Sequence, residues 1–358
     1  MNEDLIQLLP VDPASWNPAY RWGIELIVYI QQIEKPLLTE IIKIITSLGT
    51  ELFYIPAILL IYWCINEKKG FRLGVMLLIS IWINMICKGF LKMPRPYEFD
   101  RSIGLAFEPS YGMPSGHAQI TACFWIPLAD WLSTFRNTSA VKPAGKPQLE
   151  RAFFYTAAGF IILLIGFTRL YLGVHFPTDL LGGWVLAGII LAVYFIYGKR
   201  LAEFLQGQGL RIQLIVTAFM SLGLNVVYPQ NRSLSALFLG FCVGYALMRK
   251  HLHFSVTSGE VKGKRQRFGI LALRYLFGIA GAACLILALK FFLPGEDSVF
   301  AALLWFGRDS PAYELAQFLR YGSLGLWAAA GAPWLFLKLK LAAAEKNETG
   351  TGYFGGSA

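Results

Sequence analysis

The sequence predicts an all-α, polytopic helical membrane protein, and three observations carry that expectation. Hydrophobic residues make up 56% of the 358-residue chain and charged residues only 15%, against roughly 45–50% and about 25% in soluble domains. The apolar residues gather in runs close to the ~20 residues a helix needs to cross a bilayer. Lysines and arginines fall between those runs, on alternate loops, as the positive-inside bias of membrane proteins requires. Strands do not serve as the spanning element, because an open strand in lipid leaves its backbone groups without partners.

Residues 20–48 come first. Glu25, Gln31, Gln32, Glu34, Lys35, Glu40 and Lys43 interrupt the stretch, Pro36 divides it, and Leu37, Ile41, Ile42 and Ile45 keep helical spacing. This predicts two amphipathic helices lying in the interface. A poor first transmembrane span is the alternative, disfavoured because charges at membrane depth are costly. Nine candidate spans follow, at 51–66, 71–91, 115–133, 152–168, 179–198, 211–228, 234–249, 268–293 and 321–338. The chain therefore divides into interfacial helices at 1–50, a five-span core at 51–200, a four-span extension at 201–341 and a mobile tail at 342–358. Between the last two spans, residues 296–320 mix Glu296, Asp297, Arg308, Asp309, Glu314 and Arg320 with aromatics, and read as a second interfacial element over the site.

The net charge of +10 does not point to nucleic acid. The basic residues sit in loops such as Lys68–Arg72, Arg136–Arg151, Lys199–Arg211 and Arg249–Arg267, which fall on one face and mark it as cytoplasmic. The N-terminus is then outside and the C-terminus inside. The five cysteines lie within apolar segments without metal-like spacing, so neither a disulfide framework nor a metal centre is expected. The first twenty residues are mixed and contain proline, unlike a cleavable signal peptide.

One cluster breaks the charge bias. The non-cytoplasmic ends of spans two to five carry Lys88, Lys92, Arg95, Arg101, His117, Arg169, His175 and Asp179. Ionisable groups at membrane depth usually serve function, and a set dominated by cations suits an anion, above all phosphate through arginine. Lys88 lies about two helical turns before Arg95, and Pro96 is expected to end that helix. Each could also be a snorkelling helix-end cation. Ser115 is placed to cap span three, Gly116 permits close backbone approach, and His117 sits in the first turn; an ordinary cap after Pro114 is the bland alternative. Pro177 suits the first turn of a new helix. Asp179, four residues after His175, can accept from one imidazole nitrogen and leave the other unprotonated, unless the pair only tidies a turn. Two of the chain's four histidines fall in these patterns; His251 and His253 lie in a basic loop.

Together the patterns Lys88-x6-Arg95-Pro96, Pro114-Ser115-Gly116-His117 and Thr168-Arg169-x5-His175-x3-Asp179 resemble the signature of the type-2 phosphatidic acid phosphatase family, which shares its core with vanadium haloperoxidases and bacterial acid phosphatases. The resemblance spans about residues 20–200, with Thr168 where serine is usual. It implies a phosphatase helix-bundle core and says nothing of the four C-terminal spans. Phosphoryl transfer needs cations on the equatorial oxygens and an in-line nucleophile. Lys88, Arg95 and Arg169 would supply the cations, and Ser115 with the Gly116 N–H further donors. His175 would be the nucleophile, Asp179 its orienting partner, and His117 the general acid and later base. The resemblance implies the same assignments, with no metal or other cofactor.

The expected partner is a membrane lipid phosphate in the bilayer, cleaved at the non-cytoplasmic interface, in a bacterial inner membrane with the site facing the periplasm or exterior. A lipid phosphotransferase using the same residues is a rival, as is a non-enzymatic lipid transporter, for which Asp130 and Arg274 are the conspicuous intramembrane charges, both near enough to the cytoplasmic end to snorkel. Substrate identity and oligomeric state stay open.

Overall fold

The computed structural model describes residues 17–135, 147–256, 264–293 and 311–344. The tail from residue 345, residues 296–310 of the expected second interfacial element, and parts of the basic loops lie outside the described residues.

The expected break at Pro36 is present. α1 (Pro18–Gln31) and α2 (Pro36–Ser47) each open on a proline, whose fixed φ suits a first helical turn. Asn17 caps α1 by accepting from the Ala19 N–H at 3.0 Å. α3 (Glu51–Leu60) continues through one π turn, Ile61–Ile65. α4 (Glu67–Leu91), the short α5 (Pro96–Phe99), α6 (Gly116–Phe135), α7 (Pro147–Tyr171), α8 (Pro177–Gly207), α9 (Leu210–Val227), α10 (Arg232–Leu247) and α11 (Lys264–Phe292) follow. α12 (Pro311–Leu326) passes through a π turn at Trp327–Gly331 into α13 (Ala332–Lys338). Each of the nine expected spans falls on a helix.

Five helices among the described residues are long and apolar enough to cross a membrane: Glu67–Phe99, Gln148–Tyr171, Pro177–Gly207, Leu210–Val227 and Phe268–Phe292. A sixth span results if Pro36–Ser47 and Glu51–Ile65, bent by 43°, are taken together. The chain is a multi-pass integral membrane protein. The sequence count of nine is higher by α6, α10 and α12. α6 has 20 residues but carries His117, Gln119, Pro127 and Asp130 along its length. α10 and α12 have 16 residues each, a rise of ~24 Å against a hydrocarbon core of ~30 Å, and extend only through the π turns that follow them.

The chain forms two compact units. One takes Met1–Ile55 and Ile79–Tyr197, the other Pro56–Leu78 and Gly198–Ala358. Residues 56–78 thus group with the C-terminal helices, a different grouping from the linear division at residues 50 and 200. The side chains give the reason. Tyr62 and Trp63 are fully buried in one cluster with Phe241, Tyr245 and Phe336. The Tyr62 hydroxyl donates to Ala329 O and the Trp63 indole N–H to Ala328 O, both at 2.8 Å. In the same unit β1 (Phe254–Ser255) pairs antiparallel with β2 (Ala343–Ala344), so the expected tail begins in a strand. Arg274 does not snorkel. It is 3% exposed, donates to Leu341 O at 2.8 Å and Val256 O at 3.3 Å, and lies over the Phe254 ring.

In the first unit, α1 and α2 do more than lie at a surface. Ile24 and Ile27 pack with Ile103 and Phe176, and Ile42 packs with Tyr97, Tyr171, Leu172 and Val174. The Gln31 amide donates to Ile103 O and Tyr171 O, both at 2.8 Å. One face of each helix therefore braces the loops that carry the cluster, while Trp22, Tyr29, Leu37 and Ile44 remain exposed and apolar. Such helices are apolar on both sides, as lipid contact requires.

Candidate active site

All eight residues singled out from the sequence belong to the first unit. Lys88 is in the last turns of α4, which ends at Leu91. Arg95 does not continue that helix: the chain turns at Lys92, with φ of 47°, and Arg95 is the N-cap of α5, with Pro96 at its first position. Pro96 thus opens a helix instead of ending one. Lys88 and Arg95 still converge, because both donate to Ser110 Oγ and Tyr111 O.

Arg95 is the hub. It is completely buried, yet every guanidinium nitrogen has a partner. Nε donates to Ser110 O, Nη1 to Val174 O at 2.8 Å, and Nη2 to Glu108 Oε2 at 3.0 Å. Nη1 also lies 3.4 Å from His175 Nε2. On the other side of that ring, Nδ1 is 3.1 Å from Asp179 Oδ2. The carboxylate is fixed in turn by the Phe176 N–H at 2.9 Å. With Asp179 accepting at Nδ1, the Nε2 lone pair points to the cations. The loop holding His175 depends on Gly173, whose φ is +65° and whose added Cβ would lie 2.0 Å from Ile103 O; only glycine tolerates both.

Burial, and then the charges of Arg95, Lys88, Arg169 and His117, hold the His175 imidazole well below its ordinary pKa. The neutral ring is favoured.

The second motif is bound to the third through its backbone: Ser115 N–H donates to Asp179 O at 2.9 Å. Ser115 Oγ lies 3.5 Å from Ala118 N, a long version of the expected cap. The close approach that Gly116 permits is to Asn84, whose Oδ1 would lie 3.3 Å from an added Cβ. Asn84 also donates to Pro114 O at 3.2 Å and to Gln119 Oε1 at 2.8 Å, and Gln119 donates to Ser80 O at 2.8 Å. This buried amide pair braces the motif from behind. His117 is half-buried, beside the break between α2 and α3, where a Cβ on Gly49 would lie 2.8 Å from its ring.

Arg169, in the last turn of α7, is 2% exposed. Nη1 donates to Thr46 Oγ1 at 2.8 Å and Nη2 to Glu108 Oε1. Among the described residues nothing accepts from its buried Nε. Thr168, which stands in the place of serine, uses its hydroxyl to bind Ile165 O at 2.7 Å and Thr46 Oγ1 at 3.0 Å.

Sequence reasoning missed Glu108, Thr46, Asn84 and Gln119. Glu108 had a readable signal, being an acidic residue nine positions before His117 in a cationic region. Thr46 had none, since its contact with Arg169 joins positions 123 apart in the chain.

The chain is similar to known proteins over most of its length. The PAP2 superfamily matches residues 69–203, and the transmembrane extension of PAP2 superfamily phosphatases matches 232–345. Phosphatidylglycerophosphatase B of Bacillus subtilis (strain 168) is 30% identical over 178 residues, covering 49% of this chain and 82% of that protein. The chain belongs to the PAP2 superfamily. A probable sphingosine-1-phosphate phosphatase of Dictyostelium discoideum is 28% identical over 244 residues, covering 65% of this chain and 59% of that one. A crystal structure of a transmembrane PAP2-type phosphatidylglycerolphosphate phosphatase from Bacillus subtilis aligns at 27% identity and TM-score 0.43, over 52% of this chain and 90% of the other. Such relatives are phosphatases, and this PAP2 member is a phosphoric ester hydrolase. The C-terminal helices, which no site motif reached, correspond to the extension found in PAP2 phosphatases.

Proposed function

We propose that the protein hydrolyses a phosphomonoester or diphosphate of a membrane lipid at the non-cytoplasmic interface, through a phosphohistidine on His175. One observation carries the reading: His175 is held at Nδ1 by Asp179 while Nε2 faces Arg95, in a site where, among the described residues, nothing accepts from the buried Nε of Arg169. A buried guanidinium donor left open is costly, and one phosphate oxygen would satisfy it while a second takes a neighbouring N–H.

In the proposed sequence Lys88, Arg95, Arg169 and the Ser115 hydroxyl hold the non-bridging oxygens. His175 Nε2 attacks phosphorus, the bond to the lipid oxygen breaks, and His117 protonates that oxygen. Asp179 stabilises the imidazolium as it forms. Water then attacks the phosphohistidine, His117 takes its proton, and the P–N bond breaks to release phosphate. The lipid class is supported by the apolar outer faces of α1 and α2 beside the site and by relatives named for lipid phosphates. The transport reading, which rested on the four extra C-terminal spans, is the weaker one, because residues 232–345 match an extension of PAP2 superfamily phosphatases and Arg274 is held by backbone carbonyls.

The experiment is phosphate release in detergent from a panel including phosphatidylglycerophosphate, phosphatidic acid and sphingoid-base phosphate, with EDTA present. EDTA-resistant release by the wild type that disappears in His175→Ala is expected. Release by the His175→Ala protein at the wild-type rate would remove the phosphohistidine.

A further inference from the structure

Glu108 is the one carboxylate seen in contact with both phosphate-site arginines among the described residues: Oε2 meets Arg95 Nη2 at 3.0 Å, and Oε1 meets Arg169 Nη2. Two explanations are physically open. A carboxylate between two guanidinium groups could stand in for the substrate phosphate and be displaced by it. Alternatively it could remain in place and hold the two forks at a fixed separation.

The surroundings decide between them. The backbone of Glu108 is pinned on both polar atoms by one hydroxyl: Tyr97 Oη donates to Glu108 O at 2.9 Å and accepts from Glu108 N at 3.3 Å. Tyr97 is itself 3% exposed. Pro109 follows, which confines Glu108 to extended backbone and fixes the next φ. The same short loop continues into Ser110 and Tyr111, which bind Lys88 and Arg95. Glu108 therefore rides on a braced loop whose next residues support Lys88 and Arg95. The open donor also argues against displacement, since among the described residues nothing accepts from Arg169 Nε while Glu108 holds Nη2.

We propose that Glu108 is a positioning residue: its carboxylate bridges Arg95 and Arg169, offsets their mutual repulsion, and sets the spacing at which they grip the phosphate. The inference rests on the phosphatase reading of the site. Glu108 takes no part in bond making. Removing one partner of a buried charged set leaves the others uncompensated and free to splay.

The test compares wild type, Glu108→Gln and Glu108→Asp, purified in one detergent, with inorganic phosphate as competitor of lipid phosphate turnover. The inhibition constant of phosphate does not depend on what fraction of a preparation is folded, so a purely structural defect does not move it. Glu108→Gln should weaken phosphate inhibition by about tenfold or more, and Glu108→Asp, one methylene shorter, by less. Inhibition of Glu108→Gln as strong as in the wild type, or stronger, overturns the proposal. If the Gln variant cannot be purified, the Asp variant decides: weakened inhibition supports the bridge and wild-type inhibition overturns it. If the wild type turns over no lipid phosphate, the phosphatase reading fails by itself. Calorimetric titration of inorganic phosphate into wild type and Glu108→Gln then tests the bridge separately, with weaker binding expected in the variant.

Discussion

His175 is where the chemistry of single residues is most exposed to test. Its imidazole is held below its ordinary pKa by burial first and by Arg95, Lys88, Arg169 and His117 next, so it stays neutral and nucleophilic on the acid side of pH 6.5, the usual imidazole value of about 6.5. The acid limb of kcat/KM should therefore fall below about pH 6.5, as a pH–rate profile would reveal. The sign for stability is the reverse. The unfolded chain binds a proton at His175 below about pH 6.5 while the folded chain does not, so folded stability drops as pH falls there, by at most about 1.4 kcal/mol per pH unit. Thermal melting in detergent from pH 8 to pH 5 should show a steeper acid loss for wild type than for His175→Gln. Asp179→Asn keeps the size of the side chain and removes the charge that favours Nδ1–H and the imidazolium. It should lower kcat about a hundredfold or more, measured as phosphate release with folding checked by melting. Of the contacts that build this site, those within four residues, such as His175 with Asp179, are readable from spacing. Those of Thr46 and Glu108 with Arg169 are not, because no local pattern pairs residues 61 or 123 positions apart.

Elements are decided by their ends. The prolines that open α2 and α8 are legible as helix starts. The expected second span, 71–91, ends where α4 does, at Leu91, but the reversal through Lys92 is not legible: Pro96 reads as the end of this helix and instead opens α5. Propensity is weak at a helix end, and the convergence of Lys88 and Arg95 on Ser110 and Tyr111 is a tertiary contact. Glycines supply a paired test at this scale. Gly173→Ala must fit a methyl 2.0 Å from Ile103 O at a positive φ, so it should lower both thermal stability and kcat. Gly159→Ala, in α7 with nothing within 4 Å of the added Cβ, should leave kcat unchanged and stability unchanged or slightly raised. Equal effects of the two substitutions would show that the Gly173 turn does not shape the site.

At the scale of the whole molecule, the grouping of residues 56–78 with the C-terminal helices separates catalytic placement from bulk stability. Arg274 is buried in the unit that lacks the motifs. Arg274→Met strands the carbonyls of Leu341 and Val256, a cost of about 1–3 kcal/mol. A lower melting temperature with unchanged KM is expected; a changed KM would tie Arg274 to the substrate. The sequence by itself determined the class of the protein. Composition, the length of its apolar runs and three short motifs are properties of residue identity and local spacing, and lipid admits few backbone solutions. Only the tertiary structure decided which helices form each unit, where the open Arg169 donor lies, and that Glu108 bridges two arginines. The physical reason is that burial and long-range pairing depend on which surfaces the folded chain brings together, and residue order does not encode those contacts in any local period.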